Sequence, residues 1–155
     1  MQFQIKHILI IFISVLYLSS CDEDKYGDWK TLNNNWLENL KDEKKDNPNF
    51  YVTESGLCYE VFHQGYYTRP NSGSLVRAEY SGKLITGTTF DSGIYYRSLS
   101  EAIRGWQEGF PQMRDGAHFI FYIPSTLGYG DDGMGSIPPH STLVFDIKLI
   151  KTYNY

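Results

Sequence analysis

The residue types in this chain that could act on a substrate are aromatic rings and a few hydroxyls, with no activated nucleophile among them. Four short motifs carry them: Tyr80-Ser81-Gly82, Thr89-Phe90-Asp91-Ser92, Ile103-Arg104-Gly105-Trp106-Gln107-Glu108-Gly109, and Leu127-Gly128-Tyr129-Gly130 followed by Ile137-Pro138-Pro139 and Phe145-Asp146. Nothing places a base beside Cys58, so covalent catalysis is not indicated. His63, His118 and His140 are scattered, neither Cys-x-x-Cys nor His-Glu-x-x-His occurs, and each histidine reads as structural rather than as a metal ligand. The 13 Tyr and 9 Phe imply either an aromatic core or an aromatic groove. For Tyr80 and Phe145, core and groove are hard to separate. For Trp106, the flanking Gly105 and Gly109 suggest a chain that bends around an opening.

These residues need a scaffold, and from Asn49 onward the sequence reads as strands. Leu57, Tyr59 and Val61 alternate with Cys58, Glu60 and Phe62. Val76, Ala78, Tyr80 and Leu84 alternate with Arg77, Glu79 and Ser81. His118 to Ile123 is a short apolar run ending at Pro124, and Leu143, Phe145, Ile147 and Leu149 alternate with Val144, Asp146 and Lys148. Ser100 to Trp106 reads as one helix capped by Ser98 or Ser100. Three or more antiparallel strands and one helix give an α+β domain, the helix covering the apolar face of the sheet. Cys58 takes either a solvent-face or a core position, and Asp146 reads as a structural acid.

The four motifs, in this order between about Leu57 and Lys151, resemble the signature set of the FKBP-type peptidyl-prolyl cis-trans isomerases, in a bacterial lipoprotein form. The resemblance implies a twisted antiparallel sheet wrapped around one short helix. It also implies a reaction, rotation about an X–Pro amide, whose barrier is about 18 to 20 kcal/mol. Such a catalyst needs a dry aromatic pocket and one or two aimed hydrogen-bond groups. Carried over residue by residue, Trp106 forms the floor under the proline ring. Tyr80, Phe90 and Phe145 make the walls, Ile103 adds an apolar contact and a backbone N–H, and Ile137 closes the rim. Tyr129 gives its hydroxyl to the substrate carbonyl. Asp91 either meets the carbonyl carbon or holds the Tyr80 hydroxyl; the bland alternative, an Asx-turn residue, is the less favoured reading. The resemblance departs in two places. The stretch from Asp91 to Glu101 is several residues short, with Arg97 as a candidate partner for Asp91 and with Tyr95 and Tyr96 near an aromatic wall position. The loop from Asp131 to Ser136 is about one residue short, with Met134 at the rim.

The start of the chain has the layout of a secretory signal: Lys6, an apolar run from Ile8 to Leu18, then Leu18-Ser19-Ser20-Cys21. That run is too short for a spanning helix. Leu-Ser-Ser-Cys resembles a bacterial lipobox, which makes residues 1–20 a signal peptide and Cys21 the lipidated residue. The expected organisation is then a tether over residues 21–49 and an isomerase domain over residues 50–155. The expected location is the cell envelope, at the periplasmic or surface face of a bacterial outer membrane. A lipidated Cys21 leaves Cys58 without a disulfide partner. Without Lys6 the remaining 13 Lys and Arg face 18 Asp and Glu, a formal charge of −5, which argues against nucleic acid as a partner. Within the tether, Trp29, Leu32, Trp36, Leu37 and Leu40 recur at helical spacing, with Asp28 as N-cap and Asn33-Asn34-Asn35 as poor helix material. That stripe docks either on its own domain, the simpler reading, or on a dimer partner or client. The expected partners are proline-containing polypeptides and the membrane, reached through the lipid anchor; the expected state is a monomer, and no cofactor is implied. Alongside the isomerase, two other readings remain: a non-catalytic proline-peptide-binding module or holdase chaperone, and a structural lipoprotein in which the domain is a spacer.

Overall fold

Alternation of apolar and polar side chains builds a six-stranded antiparallel sheet in the computed structural model, which describes residues 25–154. The strands are β1 (Phe50–Val52), β2 (Cys58–His63), β3 (Leu75–Leu84), β4 (Thr89–Ser98), β5 (His118–Ile123) and β6 (Leu143–Tyr153), in the order β1-β2-β5-β6-β3-β4. Two helices flank it, α1 (Gly27–Lys44) and α2 (Arg104–Gly109). The secretory signal and Cys21 lie outside the described residues. The four strands read from the sequence are all present. β1 was not read, and neither was β4, in which Asp91, Ser92, Gly93 and Arg97 interrupt any clean alternation.

Register fixes which side chains meet. On β5 and β6, Phe119, Phe121 and Ile123 pair with Ile147, Phe145 and Leu143. On β3 and β6, Ala78, Tyr80, Gly82 and Leu84 pair with Leu149, Ile147, Phe145 and Leu143. All of these point to one face and, with Leu57, Trp106, Phe110 and Met113, form the main core. A bulge between Arg77 and Ala78 shifts the β3–β6 register, so Thr152 turns inward beyond it while Ile150 is half exposed. The opposite face carries Cys58, Ile120, Tyr122 and Val144, and α1 covers it with Trp36, Leu37 and Leu40.

That covering helix settles the alternatives for the N-terminal stripe: it docks on its own sheet. The stripe is rotated from the expected one, since Leu32 is exposed and Asn33 is fully buried. Asn33 Oδ1 accepts the backbone N–H of Thr142 at 2.8 Å, and its Nδ2 donates to Trp29 O at 2.8 Å. The Trp29 indole donates to Ser141 Oγ at 3.0 Å. A residue of poor helix propensity is thus kept because its amide ties the helix to the turn before β6. Asp28 lies in the first turn rather than at the N-cap, which is Tyr26. Cys58 takes the core position, and its thiol is pushed up to about 11 by burial.

The central helix differs from expectation. Ser98 caps a 3₁₀ turn over Leu99–Glu101, its Oγ accepting from Ser100 N at 3.3 Å. Ala102 and Ile103 are then extended, and the α-helix starts only at Arg104. The Gln107 side chain stabilises the break by donating to Ala102 O at 2.8 Å. Gly105 and Gly109, one turn apart, face β5. A Cβ on Gly105 would sit 2.5 Å from Ile123 Cγ2, and one on Gly109 would sit 2.7 Å from the Phe121 ring. The two glycines therefore bring helix and sheet close together; they do not bend the chain around an opening.

Candidate functional site

The close approach of α2 to β5 lays Trp106, 4% exposed, across the centre of the domain. Four rings surround its indole. Tyr80, Tyr95 and Phe145 meet it edge to face with centroids 5.3, 5.0 and 5.1 Å away, and Phe110 tilts against it at 5.2 Å. Edge-to-face pairs of this kind are mutually favourable beyond their buried area. The indole N–H has no hydrogen-bond partner among the described residues, an unusual state for a buried donor.

Above this floor opens a cavity of about 470 Å³. Tyr80, Asp91, Ile103, Trp106, Tyr129 and Phe145, six of the eight pocket residues expected from the sequence, border it. The other two do not. Phe90 stands behind the wall, its ring edge-on to Phe145 at 5.4 Å. Gly82 makes room for that pair, since a Cβ there would lie 2.6 Å from the Phe145 ring and 2.7 Å from the Phe90 ring. Ile137 is buried beneath the rim, exchanging backbone hydrogen bonds with Met134 at 2.8 and 2.9 Å. Met134, 60% exposed, forms the rim itself.

Polar groups are few and placed by backbone. Tyr80, inward on β3, donates its hydroxyl to Asp91 Oδ2 at 2.7 Å, across the β3–β4 pair. The contact is one of the two expected of Asp91, the one with the Tyr80 hydroxyl. Arg97 lines the same cavity, but no ion pair links it to Asp91 among the described residues. The Tyr129 loop is pinned on several sides: Gly130 N donates to Ser125 O, His140 N to Gly130 O and Gly133 N to Tyr129 O, at 2.8, 2.8 and 3.1 Å. His140 is the one non-glycine residue with a left-handed backbone among those described, and its Nδ1 lies 2.8 Å from Asp131 Oδ1. Ile103, extended just before α2, presents its carbonyl to Trp106 N and Gln107 N.

Burial sets the protonation of these hydroxyls. Tyr80 is pushed up to about 12, by desolvation first and then by its bond to Asp91. Tyr129 is raised by desolvation and by the Asp91 charge, and Tyr95 by desolvation and the nearby Glu101. All three are therefore neutral donors at physiological pH. The arrangement can seat an apolar ring on an indole and offer a phenolic O–H beside it. Ile94 and Glu101 also border the cavity and were missed by sequence reasoning. The signal that could have found Ile94 is β4 itself, whose pattern is obscured because it is an edge strand; Glu101 ends the 3₁₀ turn that follows it.

Sheet, short central helix and aromatic cavity together define an FKBP-like domain. The family described as FKBP-type peptidyl-prolyl cis-trans isomerase matches residues 66–150. A probable FKBP-type isomerase FkpA of Neisseria meningitidis is 45% identical over 106 residues, covering 64% of this chain and 39% of that protein. An FK506-binding protein of the same species is 38% identical, covering 63% of this chain and 97% of that one. Among solved structures, FkpA from Escherichia coli superposes with a TM-score of 0.77 at 27% identity, over 98% of this chain and 73% of that one. AtFKBP13 superposes with a TM-score of 0.61 at 35% identity, over 67% of this chain and 98% of that one. The chain belongs to the FKBP-type peptidyl-prolyl cis-trans isomerase family. It spans about two fifths of the length of the FkpA relatives it matches.

Proposed function

We propose that the chain is a peptidyl-prolyl cis-trans isomerase that catalyses X–Pro rotation without a covalent intermediate, held outside the cytoplasm by lipid on Cys21 to assist the folding of extracytoplasmic proteins. The observation that carries this reading is the cavity floored by Trp106, walled by Tyr80, Tyr95 and Phe145, and supplied with a neutral Tyr129 hydroxyl. In the twisted transition state the amide loses its resonance and the carbonyl sheds its polarised character. A dry pocket favours that state over the planar amide, which water solvates better. A hydroxyl aimed at the carbonyl oxygen binds and orients the amide, and each ~1.4 kcal/mol by which the pocket favours the twisted state over the planar one gives tenfold in rate. Asp91 acts through Tyr80, fixing the wall rather than touching the reacting atoms. A binding module without catalysis would be favoured by an unsupported Asp91, and the 2.7 Å bond from Tyr80 argues against that state.

The envelope location rests on Leu18-Ser19-Ser20-Cys21. Because α1 docks on the sheet, only five residues, Asp22 to Tyr26, separate Cys21 from that helix. Fully extended they span about 18 Å, far less than the roughly 100 Å that an unstructured 29-residue tether would allow. The isomerase is thus held close to the bilayer. It acts as a monomer in this reading, since the apolar stripe of α1 is already buried on its own sheet.

The test is cis-to-trans relaxation of a prolyl tetrapeptide with the full chain, Tyr129→Phe and Trp106→Leu. Acceleration by the native chain, with kcat/KM about tenfold lower in Tyr129→Phe for the loss of one hydrogen bond and lower still in Trp106→Leu, supports the reading. Both variants must keep their circular dichroism. No acceleration from a folded native chain overturns it and leaves a peptide-binding module.

A further inference from the structure

Cavity and sheet edge are continuous. β4 is the last strand of the sheet and pairs only with β3, so one side of its ten-residue backbone is unpaired. Successive strand side chains point to opposite faces, yet Ile94, Tyr95, Tyr96 and Arg97, four in a row, all border the cavity. A cavity can touch both faces of a strand only by running along its rim, where the free N–H and C=O groups lie. Ile94 and Tyr96 are 57% and 56% exposed there. A Cβ built on Gly93 would meet nothing within 4 Å, so the approach is open. Proline and lysine, which commonly blunt an exposed edge, are absent from Thr89–Ser98.

The geometry points to β4 as the docking strand for the polypeptide segment that precedes the target proline. This inference rests on the proposed isomerase function and names how that site takes its substrate. The occupant follows from chain chemistry. A residue before proline is driven to extended backbone by its clash with the proline Cδ, so the N-terminal flank reaches the pocket already strand-like. Pairing with an edge supplies backbone hydrogen bonds that are independent of sequence, while alternate side chains meet Ile94 and Tyr96. A catalyst serving many unrelated chains gains affinity this way without demanding a motif.

The experiment compares a prolyl tetrapeptide with two longer peptides, one extended by five residues before the tetrapeptide and one by five residues after it. Two further versions of the N-extended peptide carry N-methyl groups on alternate amides, in opposite registers. The N-extended peptide is expected to have about tenfold lower KM, as one or two added backbone hydrogen bonds would give, and the C-extended peptide is not. One methylated register loses the gain and the other keeps it, because only alternate amides face the partner strand. Equal gain from both extensions, no gain from either, or the same response in both methylated registers would overturn the inference. Hydrogen exchange of the β4 amides separates this inference from the function it rests on. If no peptide is isomerised, the catalytic reading fails, and protection of β4 amides by the N-extended peptide alone still decides the docking claim. If peptides are isomerised but β4 gains no protection, docking fails and catalysis stands.

Discussion

Gly105→Ala sets two physical effects against each other, and the structure says which wins. Alanine is favoured over glycine in a helix by at most about 1 kcal/mol at a position such as Gly105 in the first turn of α2, so propensity alone predicts a more stable protein. The added Cβ, however, would lie 2.5 Å from Ile123 Cγ2 and 2.9 Å from its Cδ1, where carbon atoms prefer about 3.5 to 4.0 Å. Ile123 is fully buried in a central strand and stiff at its branched carbon, so the helix must recede by about 1 Å. Overpacking of this kind costs about 1 to 3 kcal/mol, which less the propensity gain leaves roughly 0 to 2 kcal/mol, and the 2.5 Å approach to a stiff, fully buried side chain puts the expected net destabilisation at the upper end, about 1 to 2 kcal/mol. Urea unfolding followed by tryptophan fluorescence would show the midpoint falling by about 0.5 to 1 M. Because Trp106 is the next residue, the floor moves with the helix, and prolyl isomerisation should fall more than the folded fraction does. Ile123→Ala removes the colliding atoms, so the double variant should lose at least about 1 kcal/mol less than the two single losses combined. A Gly105→Ala protein as stable as the native one, or strictly additive losses, would refute the close-packing argument.

Other parts of the molecule give equally direct expectations. Asn33→Leu should cost about 1 to 3 kcal/mol by denaturation, because Thr142 N–H loses its buried acceptor; Asn33→Asp keeps that acceptor but buries a carboxylate whose second oxygen faces Trp29 O, and should cost no less at neutral pH. In a Cys21→Ser background, Cys58 should resist thiol reagents at pH 8, and Leu37→Ala should speed its labelling at least about tenfold by letting α1 lift. Stability should fall at high pH: Tyr80, Tyr95, Tyr129, Tyr59 and Tyr122 are all raised in the fold, chiefly by burial. Their contribution is complete below the unfolded tyrosine value near 10 and is lost as pH rises through the folded values, about 12 for Tyr80. Tyrosinate absorbance should show Asp91→Asn lowering the Tyr80 transition, and no change there would remove Asp91 as its partner.

The parts of the fold that could be read from the chain are those where one face is buried. β3 and β6 alternate cleanly because each inward side chain lands on the core, and β5 reads as an apolar run because both its faces are covered, by α2 and by α1. β4 was missed for the converse reason. An edge strand bordering a cavity answers to that cavity and to solvent as well as to a core, so Asp91, Gly93 and Arg97 interrupt its pattern. The phase of α1 was misread because Asn33 is selected for a tertiary hydrogen bond that no periodicity encodes. The central helix was misplaced because its start is set by the side chain of Gln107 reaching back to Ala102.

The site divides along the same line. Trp106, Tyr129, Tyr80, Phe145, Ile103 and Asp91 were readable through motifs, and all six border the cavity. Met134 stands at the rim as expected, but Ile137 does not close it, because the turn between them pairs its two ends, burying one and exposing the other. Arg97 lines the cavity without an ion pair to Asp91 among the described residues, and the Tyr80 hydroxyl is the partner Asp91 has. β4 runs as a regular edge strand from Thr89 to Ser98, which puts Ile94 to Arg97 along the rim of the cavity, while the Trp106 floor depends on the close packing of α2 against β5.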